Sequence, residues 1–402
     1  MTAPALLVAL ALASASVAAQ APKSAPPAKK APAAKAPAPP ANPEFDRLVK
    51  EATDARQQER WEEAIALYTK ALKIQPKYVE GYWYQGTAYY SLDKFTECRA
   101  KFREVLRLAP NNGAGYAFLG LCEFGLKDYD RALQHLLQSR IYGVGDSGEL
   151  GSVARYHAAI MMNRLSQYEQ ALETLGEFAN EGTDNPRVIE AMGIATLRLP
   201  LLPVELPADR REMVLIAGRA SYQMATRNTA AAGKTFEALV VRYPETPNVH
   251  YAFGVYLLIE QPDRAIEEFK KELELQPGHA PSLIQIAFEY VNRGDAPAAL
   301  QWARQAVSAA PKEFSAQKVL GQALLDTGDV SGSIAALQAG ILLAPESPGL
   351  HFQLARAYQK AGRLEDANKE REEFTRLERM GRTQRSGAQS VGGIGGRGGG
   401  ER

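Results

Sequence analysis

The sequence predicts an all-α solenoid of stacked helix–turn–helix units, and three observations predict it. Helix-breaking prolines fall at Pro76 and Pro110, 34 residues apart, and again at Pro244, Pro277, Pro311 and Pro345, spaced 33, 34 and 34. The gap from Pro110 to Pro244 is 134 residues, two short of four such periods. Within each period, small and aromatic residues return at matching offsets. A period near 34 holds two helices but no core of its own, so each unit must bury its apolar face against its neighbours.

The units follow in order. The second carries Tyr82, Gly86 and Tyr89, then Cys98, Phe102 and Pro110. The first matches in its second half with Ala64, Tyr68 and Pro76. The third has Tyr116, Leu119, Gly120 and Ala132, with Val144 in place of the proline. Later units show Ala232, Phe236 and Pro244, then Gly254, Ala265, Phe269 and Pro277. After these come Ala287, Tyr290, Ala299 and Pro311, then Leu320, Gly321, Leu337 and Pro345, and last Leu354, Ala355, Tyr358 and Ala367. Small residues let two helices approach, and the aromatics fill the space beside the contact. This pattern resembles the tetratricopeptide repeat over about residues 45–380. The resemblance implies a right-handed superhelix of about ten units, one truncated. It also implies a concave surface lined by first helices, where many members of the family bind partners.

The ends read differently. Residues 1–19, MTAPALLVALALASASVAA, have an apolar core from Ala5 to Ala13 and small residues at Val17-Ala18-Ala19, as a secretory signal peptide requires. The core is much shorter than the ~20 apolar residues that span a bilayer. Export is therefore expected, to a periplasmic or secreted location, with no transmembrane segment after cleavage. Residues 20–43 are almost all Ala, Pro and Lys, an extended linker that cannot form a core. Its lysines suit weak contact with an anionic cell envelope. An N-terminal block is expected over 44–199, a proline-rich insertion (LPLLPVELP) over 200–208 and a C-terminal block over 209–380. The insertion marks either a bend or an apolar loop folded back on the surface. A glycine-rich disordered tail is expected over 381–402.

Composition excludes several functions. The 402 residues carry 47 Lys and Arg against 46 Asp and Glu, a net charge of +1, so nothing biases the chain toward nucleic acid. Its five histidines lie more than a helical turn apart, and no metal-ligand or nucleophile motif occurs, so neither cofactor, metal nor catalysis is expected. The stretch NTAAAGKT at 228–235 ends like a phosphate-binding loop but lacks the leading glycine and the preceding strand. Its Ala232 and Phe236 sit at repeat positions, which predicts helix. Cys98 and Cys122 flank the Pro110 turn, 12 residues to either side, which puts them at similar heights on antiparallel helices. Export permits a disulfide between them, although two buried thiols are the simpler reading.

The candidate site is the first-helix face. Residues one position past the core aromatics point about 100° further round the helix. That rule selects Trp83, Thr87, Tyr90, Leu121, Phe124, Tyr156, Ile160, Tyr251, Leu258, Ile284 and Phe288. The lining is apolar and aromatic, suited to a protein or peptide partner. Co-chaperone members of the family hold a C-terminal carboxylate with Lys, Asn and Arg on three first helices. Here the corresponding positions hold Val49, Thr53, Tyr84, Ala114 and Phe118, against that use. The expected function is a non-enzymatic protein–protein interaction scaffold, in envelope or secretion-machinery assembly. The alternatives are polysaccharide binding, through Trp83, Tyr84 and Tyr90 with Thr87 and Gln85 beside them, and an accessory subunit of an envelope enzyme.

Overall fold

A computed structural model describes residues 42–144 and 148–391, with side chains up to residue 380. The expected signal peptide, nearly all of the linker and the last residues of the tail lie outside these. The described residues form nineteen α-helices and no strand, as nine antiparallel pairs and one lone helix. The described residues divide into two compact units, those within 1–191 with 200–205, and those within 192–199 with 206–402. The first contains α1 (Pro43–Gln57), α2 (Trp61–Ile74), α3 (Val79–Ser91), α4 (Phe95–Leu108), α5 (Gly113–Gly125), α6 (Tyr129–Ile141), α7 (Glu149–Arg164), α8 (Tyr168–Asn180) and the opening of α9 (Pro186–Thr196).

Turn chemistry sets the hairpins as much as proline does. After most first helices one residue turns left-handed: Glu59, Asp93, Lys127, Ser166 and Arg227, then Gly294, Gly328 and Gly362. This conformation ends a helix by returning its last carbonyls to the chain, and glycine adopts it without a side-chain penalty. Asn42, Asn112 and Asn228 cap α1, α5 and α11 (Thr229–Arg242), accepting from the third residue on. The phosphate-loop look-alike is thus the capped start of α11, with its amides committed to helix.

In the first unit the small-residue rule holds at Gly86, where a Cβ would fall 2.6 Å from the Phe102 ring. Phe102, Cys98 and Cys122 are fully buried in one cluster with Val105 and Leu119. The two cysteines are joined in a disulfide with Cα atoms 5.9 Å apart, so α4 is tied to α5. The two-thiol reading is thereby corrected. Equal height on facing helices brought the sulfurs into bonding range, which spacing alone left undecided. Arg155 is 1 % exposed, held by Glu181 at 2.6 Å and Glu177 at 3.2 Å with its guanidinium over Phe178. The insertion forms two short 3₁₀ turns, Pro203–Glu205 and Ala208–Arg210. Its first part packs on the first unit: Leu202 is 3 % exposed, and Glu205 accepts from the Leu202 amide at 2.8 Å and pairs with Arg164 at 3.5 Å.

The second unit continues with α10 (Arg211–Ala225), α11, α12 (Val249–Leu257), α13 (Pro262–Leu275), α14 (Ala280–Asn292), α15 (Ala296–Ala309), α16 (Phe314–Thr327), α17 (Val330–Leu343), α18 (Pro348–Lys360) and α19 (Leu364–Val391). Thr196 of α9 meets Ser221 of α10 at 2.6 Å, and Gly193 removes a side chain that would strike the Val214 carbonyl. Helix α19 runs on to Val391, past the start of the expected tail, because no proline and only isolated glycines interrupt it before Gly392.

One polar device occurs twice. His250 places Nδ1 2.5 Å from Glu268 and Nε2 2.9 Å from the Pro244 carbonyl. His351 repeats this with Glu370 at 2.6 Å and the Pro345 carbonyl at 2.9 Å. A carbonyl only accepts, so Nε2 must donate, and the remaining proton is shared between Nδ1 and the carboxylate. Each histidine thereby staples the proline turn to the second helix of its unit. The bond to Glu268 raises the His250 pKa despite burial, with Lys271 opposing. Burial alone would raise the Glu268 pKa, but bonds from His250 and Lys271 hold it below the usual carboxylate range. A raised histidine pKa stabilises the fold fully below the unfolded value of about 6.5, and that stabilisation is lost as pH rises through the folded value. Stability of the second unit is therefore expected to decline above neutrality. His250→Gln should flatten that part of a melting-temperature profile taken from pH 6 to 9. An unchanged slope in the variant would contradict a charged staple.

Candidate partner-binding face

First helices of successive pairs touch along each unit, α3 with α5, α5 with α7, α14 with α16 and α16 with α18. They form the row on which the sequence-predicted residues lie. In the first unit the row is turned inward. Trp83 stands edge-on to Phe102 and Phe118, both at 5.3 Å, and Tyr90 stands edge-on to Phe118 and Phe95 at 5.9 Å. Both are half-buried, and their shared neighbour Phe118 belongs to the next first helix. Burial raises the Tyr90 pKa, and the buried hydroxyl has no hydrogen-bond partner among the described residues. Thr87 is half-buried, its hydroxyl donating to the Tyr84 carbonyl at 3.1 Å. Gln85 is fully buried, donating to the Ile65 carbonyl and to Thr69 Oγ1.

Further along, Leu121, Tyr156 and Ile160 are buried, while Phe124 stays half-exposed. His157 joins Phe124 to Tyr156, 5.0 and 5.7 Å from the two rings. Burial lowers the His157 pKa to about 4, with the Val153 carbonyl bond opposing, so its ring is neutral at pH 7 and acts as an aromatic. The structure therefore gathers Trp83 with Tyr90, and Phe124 with Tyr156. What it leaves open on this row is Thr87 and the rims of Trp83, Tyr90 and Phe124.

The second unit holds Tyr251 and Ile284 buried, with Leu258 and Phe288 half-buried. Tyr251 packs edge-on to His279 at 5.0 Å beneath the Arg198 guanidinium. Phe288 packs with Trp302 against the cluster of Leu283, Ile284, Ala306 and Ala316. Above the Phe288 ring lies the Lys318 ammonium, 5.5 Å from its centroid. Gly349 leaves room for that ammonium, since a Cβ there would fall 3.1 Å from Nζ. Beside it runs a polar row: Arg356 donates to Gln353 Oε1 at 2.9 Å, and Gln353 Nε2 donates to Gln322 Oε1 at 3.4 Å. A rule stepping from core aromatics selects apolar positions and so missed this set. A Lys and a Gln four residues apart on one first helix were the available signal.

Comparison with known proteins agrees with this architecture. The TPR repeat family matches residues 55–93, and the Tetratricopeptide repeat family matches residues 79–112 and 285–351. Those residues carry tetratricopeptide repeats. It is similar to Hsc70-interacting protein 1 of Drosophila melanogaster, 34% identical over 92 residues, covering 23% of this chain and 24% of that protein. It is also similar to Hsp70-Hsp90 organizing protein 1 of Glycine max, 23% identical over 143 residues, covering 36% and 25%. The chain thus spans about a quarter of the length of these relatives. Among solved structures, MamA 41-end from Desulfovibrio magneticus RS-1 matches with a TM-score of 0.38 at 21% identity, over 42% of this chain and 96% of that one. The APC/C hetero-tetramer Cut9-Hcn1 matches with a TM-score of 0.39 at 14% identity, over 83% and 87%.

Proposed function

We infer that the protein is a non-enzymatic interaction scaffold whose first-helix faces dock protein or peptide partners, in an assembly of the cell envelope or secretion machinery. The observation that carries this reading is the row of touching first helices within each unit, with half-buried aromatics at Trp83, Tyr90 and Phe124 in the first and at Phe288 in the second. Rigid aromatic anchors lose little entropy on binding, which suits them to interfaces. The repeats shared with Hsc70- and Hsp90-associated relatives support a protein partner. Export is supported by the Cys98–Cys122 bridge, since disulfides persist in oxidising compartments, together with the apolar stretch Ala5–Ala13. A sugar platform is less favoured. Trp83 and Tyr90 stand edge-on to Phe118, Tyr84 stacks on Tyr68, and the Gln85 amide is buried inside the repeat.

Capture of partners from envelope extracts by wild type and by Trp83→Ala/Tyr90→Ala tests this reading. The double variant should lose its captured proteins while α14–α18 keep their protection from hydrogen exchange. Retention of every partner would remove the aromatic rims from the account.

A further inference from the structure

Lys318 is a partly buried cation with no acidic partner among the described residues. Among the described residues it makes no hydrogen bond or ion pair; the ammonium lies over the Phe288 ring, in the space that Gly349 leaves. The polarity of the neighbouring amides is forced. Arg356 only donates, so Gln353 must offer its oxygen to Arg356 and its nitrogen to Gln322, which accepts through Oε1. The relay therefore ends on the Gln322 amide nitrogen, which is left to donate. Gln322 lies four residues after Lys318 in α16, so the two side chains share a helix face. An ammonium and an amide N–H thus lie side by side on a docking row without an acceptor between them.

The neighbours at the 34-residue period give the site a pattern. Ile284, Lys318 and Phe352 occupy equivalent places in α14, α16 and α18, and Phe288, Gln322 and Arg356 do the same one turn on. Ile284 is buried, so the apolar positions open beside Lys318 and Gln322 are the half-buried Phe288 on α14 and Phe352, 45 % exposed, on α18. Packed helices lie about 9 Å apart and an extended chain rises about 3.3 Å per residue, so successive first helices meet every third residue of a crossing peptide.

We propose that α14, α16 and α18 bind an extended peptide through an internal acidic side chain, its carboxylate seated between Lys318 and Gln322 and apolar residues three positions away on either side. This rests on the scaffold reading and names the chemistry of one of its faces. Burial lowers the Lys318 pKa with no opposing carboxylate, in keeping with a cation whose counter-charge arrives with a ligand. The apolar neighbours on both sides fit a chain passing through and not one ending at the site. A carboxylate bonded by an ammonium and an amide gains charge-assisted hydrogen bonds in a partly desolvated setting.

The test uses the full chain and the fluorescent peptide acetyl-Leu-Ser-Ser-Glu-Ser-Ser-Leu-amide, with its Glu→Gln counterpart, read by anisotropy. Wild type should prefer the Glu peptide on the order of tenfold, less so in high salt. Lys318→Gln should abolish the preference, Lys318→Arg should retain part of it, and Lys312→Gln, altering an exposed turn lysine, should leave it intact. Equal binding of the two peptides by wild type would overturn the proposal, as would a preference surviving in Lys318→Gln. Binding of the Gln peptide that rises to match the Glu peptide once its C-terminus is a free carboxylate would overturn the internal assignment. Any of these results would leave partner capture through Trp83 and Tyr90 untouched, so this site and the scaffold reading fail separately.

Discussion

Phe102→Ala should cost about 3–5 kcal/mol, the range for removing a fully buried phenylalanine where the surroundings close only partly. The ring is 0 % exposed and stacked on Phe118 at 5.0 Å, with the Trp83 edge at 5.3 Å and Gly86 shaped to admit it. Collapse into the space is opposed on one side by the disulfide, which holds α4 against α5. A repeat array is stabilised by nearest neighbours, so the loss should be local and spread outward from the damaged unit. Hydrogen exchange should report α3 to α5 opening, with α14 to α18 protected as in wild type. A loss below about 1 kcal/mol, far under the range for such truncations, or one spread evenly over all helices, would contradict this account of the core.

Opening the Cys98–Cys122 bridge should have the second large effect. The cysteines are 24 residues apart, and closing a loop of that length removes unfolded-chain entropy worth about 3.5 kcal/mol. The bridge closes around the Pro110 turn, so its effect falls on α4 and α5, the same elements that Phe102 supports. Reductant should lower the denaturation midpoint of the first unit in wild type and leave Cys98→Ala/Cys122→Ala unmoved. Two reactive thiols in unfolded, unreduced protein, with no reductant effect, would remove the bridge and with it the main support for export.

The architecture was legible because it rests on short-range periodicity. Prolines such as Pro76 and Pro110 end helices by backbone geometry alone, and small residues such as Gly86 mark contacts that no larger side chain fits. What stayed hidden depends on pairs distant in sequence. Trp83 and Tyr90 read as lining positions, yet both stand edge-on to Phe118 of the next first helix and are half-buried. Tyr156 and Ile284 lie one step past core positions and are nonetheless buried, because adjacent first helices touch. The histidine staples join residues 18 and 19 apart through a carbonyl, and composition carries no trace of a carbonyl's direction. Lys318 looked like any surface lysine until its neighbours were placed.

The central claim is that partners dock on first helices and not on second ones. A photo-crosslinking residue placed singly at Thr87 and at Gln322, on first helices, and at Val241 and Leu342, on second helices and 81 % and 86 % exposed, tests it most directly. With captured partner present, crosslinks should form from Thr87 or Gln322 and be absent from Val241 and Leu342. Crosslinks confined to Val241 and Leu342 would place the partner on the other face and contradict the account.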